Sequence, residues 1–215
     1  MKKKAARSLE KYHHGNLKES VLHLSELHLE KLGAEKLSLR DIAAELQVSH
    51  TAPYRHFANK EVLLYALAER GFSALADAME SSYLKGKTFR EKLQQAGLAY
   101  VKLAIAFPKR TELMFSASRK AEPRKIPESL SREGDRAFVG LHRIVLEGVQ
   151  AGEFVQEEPL QLSCTAWSLV HGIATLLNGG GFPLPLGSDK ALRQFVMQSL
   201  LTLETGMLQS ERKSE

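Results

Sequence analysis

The stretch SHTAPYRHFANKEVL, Ser49 to Leu63, decides how this chain is read. It looks like a single helix except for Pro53, which in a helix interior removes a hydrogen bond and costs about 3 kcal/mol. Ala52 before it also resists helical angles. In a short helix capped by Ser49, however, Pro53 falls at the end of the first turn, where at most one intrahelical bond is lost. The stretch is therefore two elements: a short polar helix from Ser49 to about Phe57 or Ala58, and a second helix capped by Asn59. That second helix carries Val62, Leu63, Ala66 and Leu67 on towards Tyr83.

Upstream, Ser38 followed by Asp41 opens a helix of barely two turns, with Leu39, Ile42, Ala43 and Leu46 as its apolar stripe. Before it, Asn16 and Glu19 open a longer helix that runs to Leu32 and stops at Gly33. Two short helices joined by a tight turn, the second rich in His, Thr, Tyr and Arg, describe a helix-turn-helix, because one helix fits the major groove with its first turn at the base edges. Ser49, His50, Thr51 and Arg55 are the groove-facing candidates. Tyr54, His56 and Lys60 suit the phosphate backbone, and Arg40 suits either.

Charge agrees with this placement. Residues 1–60 hold 11 Lys and Arg against 7 Asp and Glu, so most of the chain's net +5 lies in its first part. Lys2 to Lys4 are either a basic arm or a solvated tail, and His13 and His14 either touch DNA or pack. No apolar run approaches a membrane span and the start lacks a secretory apolar segment, so a cytoplasmic protein without a membrane partner is expected. One cysteine, Cys164, excludes an internal disulfide framework.

Beyond a polar break at LKGKT, helices continue. Thr88 and Glu91 open one that ends at Pro108, a short one covers about 109–117, and a charged segment with two prolines reads as a loop. Phe138, Leu141, Val145 and Val149 stripe the next helix, which Gly152 stops. Pro159 opens another that runs to the glycines at Gly179, and a last one begins near Lys190. These last two are apolar on most of their circumference, so they are buried on all sides, either by a second copy of the chain or within a monomeric bundle. For a second copy, Leu169, Ile173, Phe195, Val196 and Leu200 are the expected contacts. The expected architecture is all-α with about nine helices: a DNA-binding segment over 1–60 and a larger effector and dimerisation segment over 61–215.

The runs YHHGNLKESVL and LSLRDIAAELQVSHTAPYRHFANKEVLLYALAERGF closely resemble the DNA-binding domain of TetR-family transcriptional regulators, over about Tyr12 to Phe72. AWSLVHGIATLL resembles the Trp-His-Gly signature of one C-terminal class in that family, at Trp167, His171 and Gly172. The resemblance implies a helical homodimer whose first three helices bind double-stranded, palindromic DNA and whose larger domain holds an effector. It implies phosphate contacts for Tyr54, His56 and Lys60, and base contacts around Ser49 to Arg55 and Arg40. One departure stands out: Gln47 occupies the turn where the family usually has Gly, which costs roughly 1 kcal/mol if that residue is left-handed.

A sensor needs a cavity, and Tyr100, Phe107, Met114, Phe115, Phe138, Trp167 and His171 are the residues expected to line it, alongside their alternative role as ordinary core. No acidic residue interrupts these stripes, which favours a neutral or apolar effector. Cys164 and His171 lack enough companions for a zinc site, and neither an orienting acid nor a nucleophile turn supports catalysis, so no cofactor, metal or catalytic residue is expected. The competing readings are a protein-interaction module without DNA binding and a Cys/His redox or metal sensor.

Overall fold

Each helix start in the first segment is set by a side chain within three residues of it. The side chain of Asn16 accepts the backbone N–H of Glu19 at 3.3 Å and opens α1, Leu17–Leu32, which Gly33 closes at φ +80°. Ser38 accepts from Asp41 N–H at 3.3 Å and opens α2, Leu39–Glu45. The computed structural model describes residues 16–120, 126–184 and 186–207, so Lys2 to Lys4, His13 and His14 lie outside the described residues.

α2 ends in a paired closure. Gln47 N–H donates to Ala44 C=O at 3.1 Å and Val48 N–H to Ala43 C=O at 3.0 Å, the bond pair of a left-handed helix stop. Gln47 takes φ +56°, and among the described residues it is the one non-glycine with positive φ. The position thus needs the backbone that glycine adopts most easily.

The next element differs from the expected α-helix. Residues after Ser49 form tight turns and a 3-10 segment, Pro53–Arg55, with Ala52 N–H bonded to Ser49 C=O and His56 N–H to Pro53 C=O. Part of the reason is covalent: Pro53 has no N–H to give to the Ser49 carbonyl, and most of the turn's bonds span three residues, with Phe57 N–H reaching back four to Pro53 C=O at 3.0 Å. The proline sits at the start of this turn and not inside a helical first turn.

Asn59 then accepts from Val62 N–H at 2.9 Å and starts α3, Lys60–Lys85. Thr88 accepts from Glu91 N–H at 3.1 Å and starts α4, Phe89–Ala106. α5 is Pro108–Lys120, α6 Glu128–Gln150, α7 Pro159–Asn178 and α8 Asp189–Met207, giving eight α-helices and one 3-10 turn among the described residues. α6 begins ten residues before the Phe138 stripe, where the chain is polar.

Packing divides the chain into two compact units, residues 1–71 with 109–130, and 72–108 with 131–215. The division falls within α3 at Gly71, past the boundary at residue 60 read from the sequence, and it places α5 with the first unit. In that unit Val21, Leu29, Ile42, Phe57, Leu63 and Leu67 are almost fully buried. The Glu30 carboxylate on α1 accepts the first N–H groups of α5, from Lys109 at 3.0 Å and Arg110 at 2.9 Å, meeting both the free donors and the positive end of that helix. Arg70 joins the same acidic side of α1, bonding Glu19 at 2.9 Å and Glu26 at 3.2 Å.

In the second unit α4 packs against both α7 and α8. A Cβ on Gly97 of α4 would lie 2.8 Å from Leu200, so the glycine lets α8 approach closely. On the other side Arg136 pairs with Asp77 at 2.9 Å and Arg143 with Glu80 at 2.6 Å, tying α6 to the end of α3. α7 is long and apolar enough to cross a membrane by length and composition, but Leu162, Ala166, Val170, Ile173 and Ala174 are buried in the core of this unit. Gly148 faces the ring of Phe154, which is 0% exposed.

Both special backbone positions lead to measurable changes in stability. Gln47→Gly raises unfolding free energy by about 1 kcal/mol in urea titration, because it relieves the left-handed strain. Gly148→Ala lowers it by about 1–3 kcal/mol, because the added methyl runs into the buried Phe154 ring and crowds the Cβ of Phe89.

Candidate nucleic-acid interface and internal cavity

The polar turn is held from beneath by its two apolar residues. Pro53 is buried on a segment that contacts both α1 and α2, and Phe57 is 2% exposed. With these pointing inward, His50, Thr51, Tyr54, Arg55 and His56 are left in solvent, together with Ser49 and, on α2, Arg40. Tyr54 keeps 48% of its surface exposed, an unusual state for an aromatic side chain without a partner surface. The hydroxyls of Ser49 and Thr51 are 2.9 Å apart, and Ser49 Oγ also accepts from Thr51 N–H at 3.4 Å, so the first residues of the turn are held in one conformation.

These side chains offer what a duplex needs. Imidazole, hydroxyl and guanidinium groups are donors suited to base edges and phosphate oxygens, and they lie on one short element. Lys60 also has a structural role, since its ammonium donates to the Glu35 carbonyl and ties the α1–α2 loop to the start of α3. An ammonium has three donors, so two remain for a phosphate. His28 bonds Glu45 at 2.8 Å and fixes α2 against α1.

The cavity lies in the second unit. Met79, Leu93, Leu141, Val170, Leu200, Tyr100 and Trp167 are among its walls, and the free volume for a water-sized centre is about 20 Å³. The Tyr100 hydroxyl is 2.7 Å from Nδ1 of His171, and Trp167 hydrogen-bonds the same phenol oxygen. Burial holds the Tyr100 phenol above its ordinary range, so it stays neutral. Phe138 meets Trp167 edge-on with ring centroids 6.1 Å apart and stacks on His142 at 6.4 Å.

Of the seven residues expected to line a pocket, the structure brings Tyr100 and Trp167 to this cavity, with His171 and Phe138 behind them. Phe107 stands 40% exposed at the end of α4. Met114 and Phe115 belong to the first unit, where Met114 packs on Gly71 and is 1% exposed, so they do not line this cavity. Met79, Leu93 and Leu141 were not singled out, because apolar residues at helical spacing carry no mark that separates a wall from a core.

The expected dimer contacts divide in the same way. Ile173, Val196 and Leu200 are 6%, 0% and 1% exposed inside their own unit, covered by α4 and by each other's helices, so they cannot present a face to a second copy. Leu169 and Phe195 are half-buried. On α7 and in the segment that follows it, the exposed apolar positions are instead Leu160 at 50%, Leu176 at 55% and Leu184 at 50%. Among the described residues no group of three or more His, Cys, Asp or Glu comes together as a metal site.

Two family models match the chain. Residues 29–67 match that of bacterial regulatory proteins of the tetR family, and residues 93–199 that of the tetracyclin repressor-like C-terminal domain. The chain belongs to the TetR family. A protein of unknown function from Rhodococcus sp. RHA1 has 32% identity and a TM-score of 0.81, the match covering 92% of this chain and 98% of that one. The TetR-family regulator PfmR from Thermus thermophilus shares the fold at 18% identity and TM-score 0.67, over 88% and 99% of the two chains. A ketosteroid transcriptional regulator of Mycobacterium tuberculosis does so at 16% identity and TM-score 0.63, over 88% and 94%. No curated protein sequence matches. Membership makes the chain a DNA-binding regulator and not an enzyme. The TetR DNA-binding match contains Arg40, the whole polar turn and Lys60, and the C-terminal match contains Tyr100, Trp167, His171 and Gly172.

Proposed function

We propose that this TetR-family regulator is a cytoplasmic, homodimeric repressor that binds a palindromic operator and is released by a small, neutral or apolar effector. The observation that carries the reading is the turn whose Pro53 and Phe57 are buried while His50, Thr51, Tyr54, Arg55 and His56 stand in solvent. Within it, Arg40, Ser49, His50, Thr51 and Arg55 read bases, and Tyr54, His56 and Lys60 bind phosphates. The dimer is supported by the apolar surface left on α7 and by Phe182, which packs edge-on against Phe195 of α8 with centroids 5.0 Å apart. Effector release is supported by the apolar cavity beside Tyr100 and Trp167. An effector that favours one dimer geometry changes the spacing of the two turns and hence their fit to successive major grooves.

Duplex fragments from the regulator's own genomic neighbourhood, titrated at two salt concentrations, test the DNA reading. Affinity falls steeply with salt, and binding that is undetectable or indifferent to salt for every fragment refutes it. Lys60→Ala weakens binding to all sequences alike and lowers the salt slope by about one, whereas His50→Ala changes the preference among sequences. Equal effects of the two substitutions refute the division of roles.

Light scattering tests the dimer. Leu176→Glu yields folded monomers, because the residue is 55% exposed in its own unit. Leu200→Glu instead unfolds the unit, since it buries an unpaired charge at a position 1% exposed. An unchanged mass for folded Leu176→Glu places the contact elsewhere.

A further inference from the structure

The cavity of the second unit has polar atoms in its walls, but they are already used. Tyr100 is 6% exposed, and its phenol oxygen takes the Trp167 indole N–H and lies 2.7 Å from Nδ1 of His171. The Tyr100 hydroxyl and the His171 ring are thereby joined to each other across the two helices. The rings are held in this arrangement from outside: Trp167 and His171 lie 5.9 Å apart, Tyr100 and His171 6.2 Å, and Phe138 presses its edge on Trp167. What faces the cavity between them is hydrocarbon, from Met79, Leu93, Leu141 and Val170.

We propose that this cavity takes an uncharged hydrocarbon group, an alkyl chain or an unsubstituted ring, and that its apolar lining, with the Tyr100 hydroxyl already engaged by His171, selects against hydroxylated and ionised versions of it. The proposal rests on the reading of this cavity as the effector site. A hydroxyl entering here exchanges its water for walls that are almost wholly apolar, and a carboxylate loses far more. The free volume of about 20 Å³ is room for roughly one water, yet such a water would have too few polar partners, so the space is a dry one that an apolar guest enlarges. Enlargement has a direction. Leu200 closes on Gly97, where a Cβ would be 2.8 Å away, while Met79 rests with its Cβ against Gly140 and lines the cavity. Met79 is the adjustable wall, since its unbranched chain moves among rotamers at little cost.

Trp167 is the chain's one tryptophan, so its emission reports this cavity without interference. Methylcyclohexane, cyclohexanol and cyclohexanecarboxylate are titrated against the full-length protein. The expected result is a saturable emission change with methylcyclohexane, an affinity about tenfold or more lower for cyclohexanol, and no change with the carboxylate at the same concentrations. Tyr100→Phe removes the phenol oxygen and frees the Trp167 N–H at the wall, so it narrows or reverses the preference over cyclohexanol. Circular dichroism checks that the variant folds, and if it does not, the wild-type series decides alone. Equal or tighter binding of cyclohexanol or the carboxylate to the wild type, or no response to any probe, overturns the proposal. Repeating the titration with a bound operator fragment separates the two readings: a probe that changes Trp167 emission without releasing DNA upholds the ligand class and refutes the effector role.

Discussion

A left-handed backbone at Gln47, φ +56°, is the constraint on which the DNA-binding segment depends. It ends α2 after barely two turns, satisfies the carbonyls of Ala43 and Ala44, and sends the chain back across α1 and α2. Only with that reversal do Pro53 and Phe57 reach the core of the first unit, and only with both inside are the polar residues between and around them turned to solvent. A helix-forming residue is accommodated here with strain, which the buried Ile42, Ala43 and Phe57 over-determine. The arrangement joins one dihedral angle to the whole set of polar groups that the turn exposes.

The second unit follows a different logic, in which polar groups are paired so that apolar surface is left facing the cavity. Tyr100, Trp167 and His171 satisfy one another, and so a phenol, an indole and an imidazole line or back a cavity that is chemically a hydrocarbon one. Ion pairs stay on the outside of the unit, where Arg136 and Arg143 link α6 to Asp77 and Glu80 at solvent-exposed positions that contribute modestly each. Glycines set the helix separations: Gly97 brings α8 close and Gly140 brings α6 close to Met79. The cavity is what remains between those approaches.

Much of the fold was legible because its signals are local. Asn16, Ser38, Asn59 and Thr88 each accept an N–H three residues on, and Gly33 closes its helix at positive φ, so both the sequence and the structure name the same positions. The strain at Gln47 was legible too, from the contrast with a glycine at that turn. The early start of α6 was not, since residues 128–136 are mostly polar and their reason for being helical lies in partners such as Asp77, far away in the chain. Nor was the 3-10 form of the turn after Ser49, although Pro53 already marked the missing donor.

For the site, residue types alone were enough to say which groups stand in solvent, because a proline and a phenylalanine flanked by His, Thr, Tyr and Arg leave little choice of sides. They were also enough to say that α7 and α8 carry more apolar surface than one face can bury. Which of those residues lie inside was settled by packing: Leu200 and Val196 are covered by α4, whereas Leu160 and Leu176, with the same chemistry and spacing, are not. Packing likewise separated Met114 and Phe115 from Tyr100 and Trp167. Hydrophobicity is proportional to area and carries no direction, so periodicity assigns a residue to a face, while which neighbour covers that face is a property of the packed chain.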